Sequence, residues 1–87
     1  MPSWQVKFEL ASLDDLDKLD GEVRERLIAK LTWLAENFEQ ITPLALEGKW
    51  AGFFKLRVGD YRAIYAVNNS HQQLIVIAAE HRSKVYK

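Results

Sequence analysis

The sequence contains no cysteine and only two histidines among its 87 residues. Without thiols it can form neither a disulfide framework nor a thiolate metal site or nucleophile. His71 and His81 belong to no His-rich or carboxylate-rich cluster, which argues against a structural metal.

Long apolar runs are also absent. No stretch of about eighteen apolar residues occurs, so we expect no membrane-spanning segment. The N-terminal sequence MPSWQVKFEL has one lysine and no continuous apolar stretch, unlike a signal peptide, and a cytoplasmic location is therefore expected. With 48% hydrophobic and 28% charged residues, the composition predicts one small globular domain over residues 1–87.

The formal net charge is zero, but the charges are unevenly distributed. Residues 1–47 hold five Lys/Arg against ten Asp/Glu, a balance of −5, whereas residues 48–87 hold seven against two, a balance of +5. A chain with such halves can present one positive face to a nucleic acid and still be neutral overall. The alternative is that the two halves neutralise each other across the fold.

Residues 4–38 predict a strand followed by two helices. Residues 4–10 alternate apolar and polar side chains, the period of a half-buried strand. Ser12 with Asp15 resembles a capped helix start, and Asp20-Gly21 ends that short helix. Residues 22–38 then have the pattern of a long amphipathic helix. Its apolar stripe is predicted to consist of Val23, Leu27, Leu31, Leu34 and Phe38, widened by Ile28 and Ala35.

Three further strands are predicted after the loop that Thr42-Pro43 begins. They cover residues 53–58, 61–67 and 74–79, and Gly59-Asp60 forms a two-residue turn between the first two. The order β-α-α-β-β-β predicts an α+β fold, in which a two-helix antiparallel hairpin packs on a small, mainly antiparallel four-stranded sheet. The unbroken apolar run LIVIAA marks the last strand as a central one.

Alternation along the second predicted strand places two cations on one face of the sheet. Because Leu56 is expected to face the helices, Lys55 and Arg57 face the other way. Arg62 on the next strand shares its face with Ile64, whose apolar side chain would hold the stem of the arginine. Together these cations predict a face that grips phosphate.

Taken singly, each cation also has a simpler explanation. Lys55 and Arg57 could belong to an ordinary solvated strand, and Arg62 could pair with Asp60 or Glu80. From these residues alone, both interpretations stand.

Three segments of the sequence resemble the segments of a known family. They are LEG at residues 46–48, KLRVGDYRAIY at residues 55–65 and HRSKVY at residues 81–86. With the order of elements, they make essentially the whole chain resemble the RelE/ParE toxin superfamily. The pattern LRVGDYRxxY is typical of the superfamily, and the ending HRxxVY favours its RelE branch of ribosome-dependent mRNA interferases.

This resemblance implies a toxin of a toxin–antitoxin pair that cuts mRNA in the ribosomal A site. In the family, a ribose 2′-OH attacks the adjacent phosphate, and no metal or cofactor takes part. The expected partners are therefore a cognate antitoxin protein, the ribosome and mRNA.

The resemblance also assigns roles position by position. Lys55 and Arg62 match phosphate-stabilising cations, and Arg82 matches a late arginine of the same kind. Tyr86 matches a C-terminal tyrosine that stacks on a base or takes part in proton transfer. His81 is expected to act as acid or base, because an imidazole exchanges protons close to neutral pH. Further contacts to RNA are expected from Lys49, Arg57, Lys84 and Lys87.

Two residues depart from the family pattern, and two other functions are considered. Phe53 stands where some members have a lysine, and Glu80 precedes His81 where the best-known members are more basic. A ParE-like poison of DNA gyrase would share the fold but generally lacks the basic ending with its tyrosine. A catalytically weak protein that only binds its antitoxin is the third possibility, which the neutral net charge permits.

Overall fold

The computed structural model describes residues 4–81 and Ser83, and in this part of the chain two helices cover one face of a sheet. The helices are α1 (Leu10–Asp17) and α2 (Gly21–Glu36). The strands are β1 (Gln5–Phe8), β2 (Leu44–Ala45), β3 (Phe54–Val58), β4 (Tyr61–Asn68) and β5 (Gln73–His81). Short 3₁₀ turns lie at Phe38–Gln40 and Gly48–Trp50. None of the described helices is long and apolar enough to cross a membrane.

The five strands form one sheet in the order β1-β5-β4-β3-β2. β1 runs parallel to β5, and the other neighbours are antiparallel. The predicted α+β fold is confirmed, and β5 lies between β1 and β4 as a central strand. The prediction of four strands is wrong, because β2 adds a two-residue strand that pairs with Phe54 and Lys55 of β3. A strand this short has no periodicity of its own, so its pairing with β3 defines it.

The helical hairpin packs through the predicted stripe of α2. Leu27, Leu31 and Leu34 are almost fully buried, as is Ala35. Ile28 was expected to widen this stripe, but its side chain is 38% exposed. Leu27, Leu31 and Leu34 define the side of the helix that meets the sheet, and Ile28 is turned away from it.

The start of α1 differs from the prediction. The helix begins at Leu10 with Glu9 at the N-cap position, so Ser12 lies in its first turn. Ser12 is fully buried, and its hydroxyl donates a 2.7 Å hydrogen bond to the Glu9 carbonyl oxygen. Asp15 accepts a 3.1 Å hydrogen bond from the Ala79 backbone N–H. This bond ties α1 to β5.

A chain of aromatic rings forms part of the core below β3 and β4. Trp4 contacts Phe38 at a centroid distance of 4.7 Å, and Phe38 contacts Tyr65 at 6.5 Å. Phe54 of β3 lies 5.9 Å from Tyr65 of β4. Tyr65 is 1% exposed, and this burial raises the pKa of its phenol to about 12. These ring contacts therefore connect β3 and β4 to Phe38 and Trp4 on the helix side of the sheet.

Candidate functional site

The β3–β4 hairpin places three predicted cations on the sheet face that points away from the helices. Arg57 lies directly opposite Arg62, and Lys55 lies opposite Ile64. Gly59 at the turn has φ +59°, a left-handed conformation that glycine adopts without strain. Residues diagonal to one another across antiparallel strands are about 7–8 Å apart, so Lys55 and Arg62 can approach one phosphodiester group. We call Lys55, Arg57 and Arg62 the cation cluster.

The three cations differ in their access to solvent. Arg57 is exposed, and its Nε donates a 3.4 Å hydrogen bond to the Gly59 carbonyl oxygen. Lys55 is half-buried. Arg62 is only 1% exposed, and so is Ile64 beside it on the same face. The centre of this face is therefore covered, and Arg62 is the least accessible of the three cations.

Glu80 continues the row of charges from β3 across β4 to β5. It lies directly opposite Arg62, so the row reads Arg57, Arg62, Glu80. Opposite charges in facing positions stabilise a sheet, whereas like charges destabilise it. Glu80 therefore offsets the positive charge at Arg62, and an incoming anion meets Lys55 and Arg57 as the more accessible cations.

His81 does not join the cation cluster. It lies opposite Tyr61, and the two rings meet edge to face with centroids 5.1 Å apart. Both rings line a cavity of about 320 Å³ together with Asp15 and Lys18, which places His81 on the helix side of the sheet. The structure thus separates His81 from Lys55 and Arg62.

An irregularity in β5 explains this separation. Tyr65 pairs with Val76, whereas Ile64 pairs with Ala78, so Ile77 is an extra residue in β5. An extra residue moves every later side chain to the other face of the sheet. Val76 faces the core before the bulge; without the bulge, His81 would share a face with Arg62.

The hydrogen bonds of His81 define its tautomer. Its Nδ1 accepts a 3.2 Å hydrogen bond from the Ser83 backbone N–H and lies 3.0 Å from the Ser83 hydroxyl oxygen. A ring nitrogen that accepts from an N–H carries no proton, so the neutral imidazole is protonated on Nε2. Sequence reasoning gave Ser83 no role, and its contact with His81 is seen only in the structure.

Of the remaining predicted residues, only Lys49 lies in the part of the chain that the structure describes. Lys49 is exposed in the 3₁₀ turn before Trp50, and Trp50 contacts Phe53 edge to face at 5.9 Å. The indole nitrogen of Trp50 is buried and has no hydrogen-bond partner among the described residues. Four predicted residues lie outside the described part of the chain: Arg82, Lys84, Tyr86 and Lys87.

The family model for the ParE toxin of type II toxin–antitoxin systems (parDE) matches residues 6–86. The chain belongs to this toxin family. The match covers the hairpin that carries the cation cluster, and it extends over the C-terminal sequence as far as Tyr86.

Two individual toxins and one toxin–antitoxin complex are similar to this chain. Toxin RelG of Mycobacterium tuberculosis (strain ATCC 25618 / H37Rv) is 27% identical over 88 residues, which cover 97% of each chain. The isolated RelE toxin of E. coli is 29% identical with a TM-score of 0.75, covering 95% of this chain and 90% of that one. The toxin–antitoxin complex RelBE2 of Mycobacterium tuberculosis contains a chain of the same fold, with a TM-score of 0.81 and 23% identity over 93% of this chain and 100% of that one.

These similarities confirm the resemblance to the RelE/ParE superfamily that the three sequence segments indicated. The chain is a toxin of the RelE/ParE superfamily and belongs to its RelE-type branch. The superfamily fold accounts for the two helices on a mainly antiparallel sheet.

Proposed function

We propose that this toxin is a ribosome-dependent endoribonuclease that cleaves mRNA in the A site and is neutralised by a cognate antitoxin. The observation that supports the proposal most directly is the cation cluster, in which Lys55, Arg57 and Arg62 share one face of the β3–β4 hairpin. The similarity of the whole chain to toxins named RelG and RelE also supports the proposal.

The proposed reaction is a transesterification within the RNA chain. The ribose 2′-oxygen attacks the adjacent phosphorus, and the bond from phosphorus to the 5′-oxygen of the next nucleotide breaks. The 2′-OH proton passes to a base, and an acid supplies a proton to the leaving 5′-oxygen. The products are a 2′,3′-cyclic phosphate and a 5′-OH. Cations stabilise the negative charge that gathers on the phosphate oxygens during attack.

The proposal gives each predicted residue a role. Lys55, Arg62 and Arg82 stabilise the charge on the phosphate, and Tyr86 stacks on a base or takes part in proton transfer. The RNA backbone is held by the remaining cations Lys49, Arg57, Lys84 and Lys87.

His81 has a different role in the proposal from the one expected from sequence. Its ring faces the helices, and its Nδ1 already accepts a hydrogen bond from Ser83. Both facts weigh against direct proton transfer at a phosphate held by Lys55 and Arg62. We therefore give His81 a positioning role, in which it holds the chain at the end of β5.

The test is to add the purified chain to a reconstituted translation system and map new 5′ ends on a defined mRNA. We expect cuts with 5′-OH ends on the translated mRNA and none on the same mRNA without ribosomes. Cleavage of free mRNA at an equal rate would contradict ribosome dependence.

A ParE-like action on DNA gyrase is the second candidate, favoured by the matched family's description as the toxin of parDE. Expression of the chain without an antitoxin should arrest growth under either proposal. Accumulation of gyrase–DNA complexes without new mRNA ends would support the second candidate and overturn the first. Absence of growth arrest would instead indicate a protein that only binds its antitoxin.

A further inference from the structure

Strand β1 lies at one end of the sheet, where one of its sides pairs with β5 and no described strand pairs with the other. The backbone N–H groups of Gln5 and Glu9 donate hydrogen bonds of 3.0 and 2.9 Å to carbonyl oxygens on the β5 side. Because backbone groups alternate along a strand, the N–H and C=O groups of Val6 and Phe8 point away from β5. We call this outward side of β1 the β1 edge.

An open groove of about 530 Å³ lies between β1 and helix α2. Its apolar lining comes from Trp4, Val6, Phe8 and Ala35, and its other lining residues are polar. The three apolar residues at β1 pack against the core but are only half-buried. A strand added to the β1 edge would bring the side chains of its own helix-side face into this groove.

The side chains of β1 divide between the two faces of the sheet. Val6 and Phe8 pack against the core on the helix side, so Gln5 and Lys7, which are exposed, face the other way. Lys7 is the only charged side chain of the strand. Like charges directly opposite each other destabilise a strand pair. A strand that pairs with the β1 edge must therefore present an uncharged or acidic residue to Lys7.

The β1 edge meets this requirement when it pairs with a second copy of itself. In an antiparallel pair with a twofold axis through Val6, the two Val6 residues face each other, and Trp4 faces Phe8 of the second copy. These residues have outward N–H and C=O groups, so the strands exchange about six hydrogen bonds. Gln5 then faces Lys7, whose ammonium it can accept a hydrogen bond from. A register centred on Lys7 would place the two lysines opposite each other.

We propose that the toxin forms a dimer in which two copies pair antiparallel through the β1 edge, with Val6 on the twofold axis. The two five-stranded sheets then form one sheet of ten strands. Because this axis is perpendicular to the sheet, both cation clusters lie on the same face of the joined sheet. Five strand spacings separate one β4 from the other, a distance of about 24 Å. The cation clusters lie outside the interface, since they belong to β3 and β4.

The test is sedimentation equilibrium of the purified full chain at concentrations up to about 1 mM. We expect a reversible equilibrium between monomer and dimer. Val6→Pro removes the N–H that donates across the axis, whereas the hydrogen bonds donated by Gln5 and Glu9 to the β5 side remain. This variant should raise the dissociation constant of the dimer by about tenfold or more. An unchanged urea midpoint in dilute solution would show that the variant monomer is folded.

The register is tested by a pair of variants that differ only in the sign of one charge. Gln5→Glu places a carboxylate opposite Lys7 of the second copy and should lower the dissociation constant, whereas Gln5→Lys should raise it. Each change should be about two- to tenfold. Asn69→Glu and Asn69→Lys are the matched controls, because Asn69 is exposed in the turn between β4 and β5, and neither should change the dissociation constant. The Gln5 variants test the proposal even if Val6→Pro does not fold.

Three results would overturn the proposal. A toxin that stays monomeric over the whole concentration series would show that the β1 edge does not pair with a second copy. A folded Val6→Pro variant that dimerises as well as the unmodified toxin would place the interface elsewhere. Gln5 variants that shift the dissociation constant in the same direction, or not at all, would contradict the register. The proposed function stands apart from all three results, because cleavage is assigned to the cation cluster and not to β1.

Discussion

Arg62 of β4 and His81 of β5 lie on neighbouring strands but on opposite faces of the sheet. Arg62 faces Glu80 across the strand pair, whereas His81 faces Tyr61 on the side of the helices. The cation cluster and the imidazole are therefore separated by the thickness of the sheet. The two groups should respond differently to substitution.

Replacing His81 with alanine should reduce mRNA cleavage by less than about tenfold and leave its pH dependence unchanged, whereas loss of a general acid or base costs about 10²–10⁴-fold. His81→Asn should be closer to the unmodified toxin, because the amide oxygen can accept the hydrogen bond from the Ser83 N–H. The measurement is single-turnover cleavage on the ribosome as a function of pH. A hundredfold loss with an altered pH profile in both variants would restore His81 as the acid or base.

Replacing Lys55 with alanine should reduce cleavage by about 10²–10³-fold, because one charge-stabilising contact to the phosphate is lost. The urea midpoint should change little, since Lys55 is only half-buried. Lys7→Ala on β1 serves as the control, because it removes an exposed lysine away from the cation cluster. If both variants cleave equally fast, Lys55 takes no part in the reaction.

Arg57 and Arg62 form a matched pair for testing burial, because they lie directly opposite each other. Arg62→Ala empties a site that is 1% exposed and should lower the free energy of unfolding by about 2–5 kcal/mol. Arg57→Ala removes an exposed side chain and should change it by no more than about 0.5 kcal/mol. Urea denaturation of both variants measures the difference. Equal losses would contradict the burial of Arg62.

Raising the pH towards the pKa of Tyr65 should lower the free energy of unfolding of the toxin. Its pKa is raised from 10.0 to about 12, so at pH values between these the folded chain keeps a proton that the unfolded chain has lost. This contribution to stability is fully present below the unfolded pKa and is lost as the pH rises towards the folded pKa. At about pH 11 the expected loss is about 1–2 kcal/mol.

The control for this effect is Tyr65→Phe, which retains the ring but has no phenol to ionise. Urea denaturation of both proteins at about pH 9 and about pH 11 isolates the contribution of Tyr65. The unmodified toxin should lose more stability than the variant over this interval. An equal loss in both proteins would assign the alkaline effect to other groups.

The parts of the fold that sequence predicts well are those governed by local pattern. The β3–β4 hairpin follows from Gly59-Asp60 between two alternating segments, and the stripe of α2 follows from leucines at helical spacing. Strand β2 and the exposure of Ile28 could not be predicted in this way. A two-residue strand depends on its partner, and the exposed fraction of a side chain depends on which part of the helix meets the sheet.

The candidate site also combines features that the sequence predicts with features that depend on the folded chain. Alternation along β3 and β4 predicted that Lys55, Arg57 and Arg62 share a face, and the structure agrees. The almost complete burial of Arg62 depends on what packs over the sheet and has no local signal. The groove that Trp33 and Val58 line also escaped sequence reasoning, since Trp33 lies outside the main stripe and comes near Val58 only in the folded chain.

The family, the order of the main helices and strands, and the cations on the β3–β4 hairpin follow from the sequence, because each depends on residue types at short spacing. The placement of His81 follows only from how the strands pair in the folded chain. The extra residue Ile77 in β5 becomes visible only when that strand is paired with β4. Since side chains in a strand alternate between faces, this one residue turns His81 away from Arg62 and towards the helices.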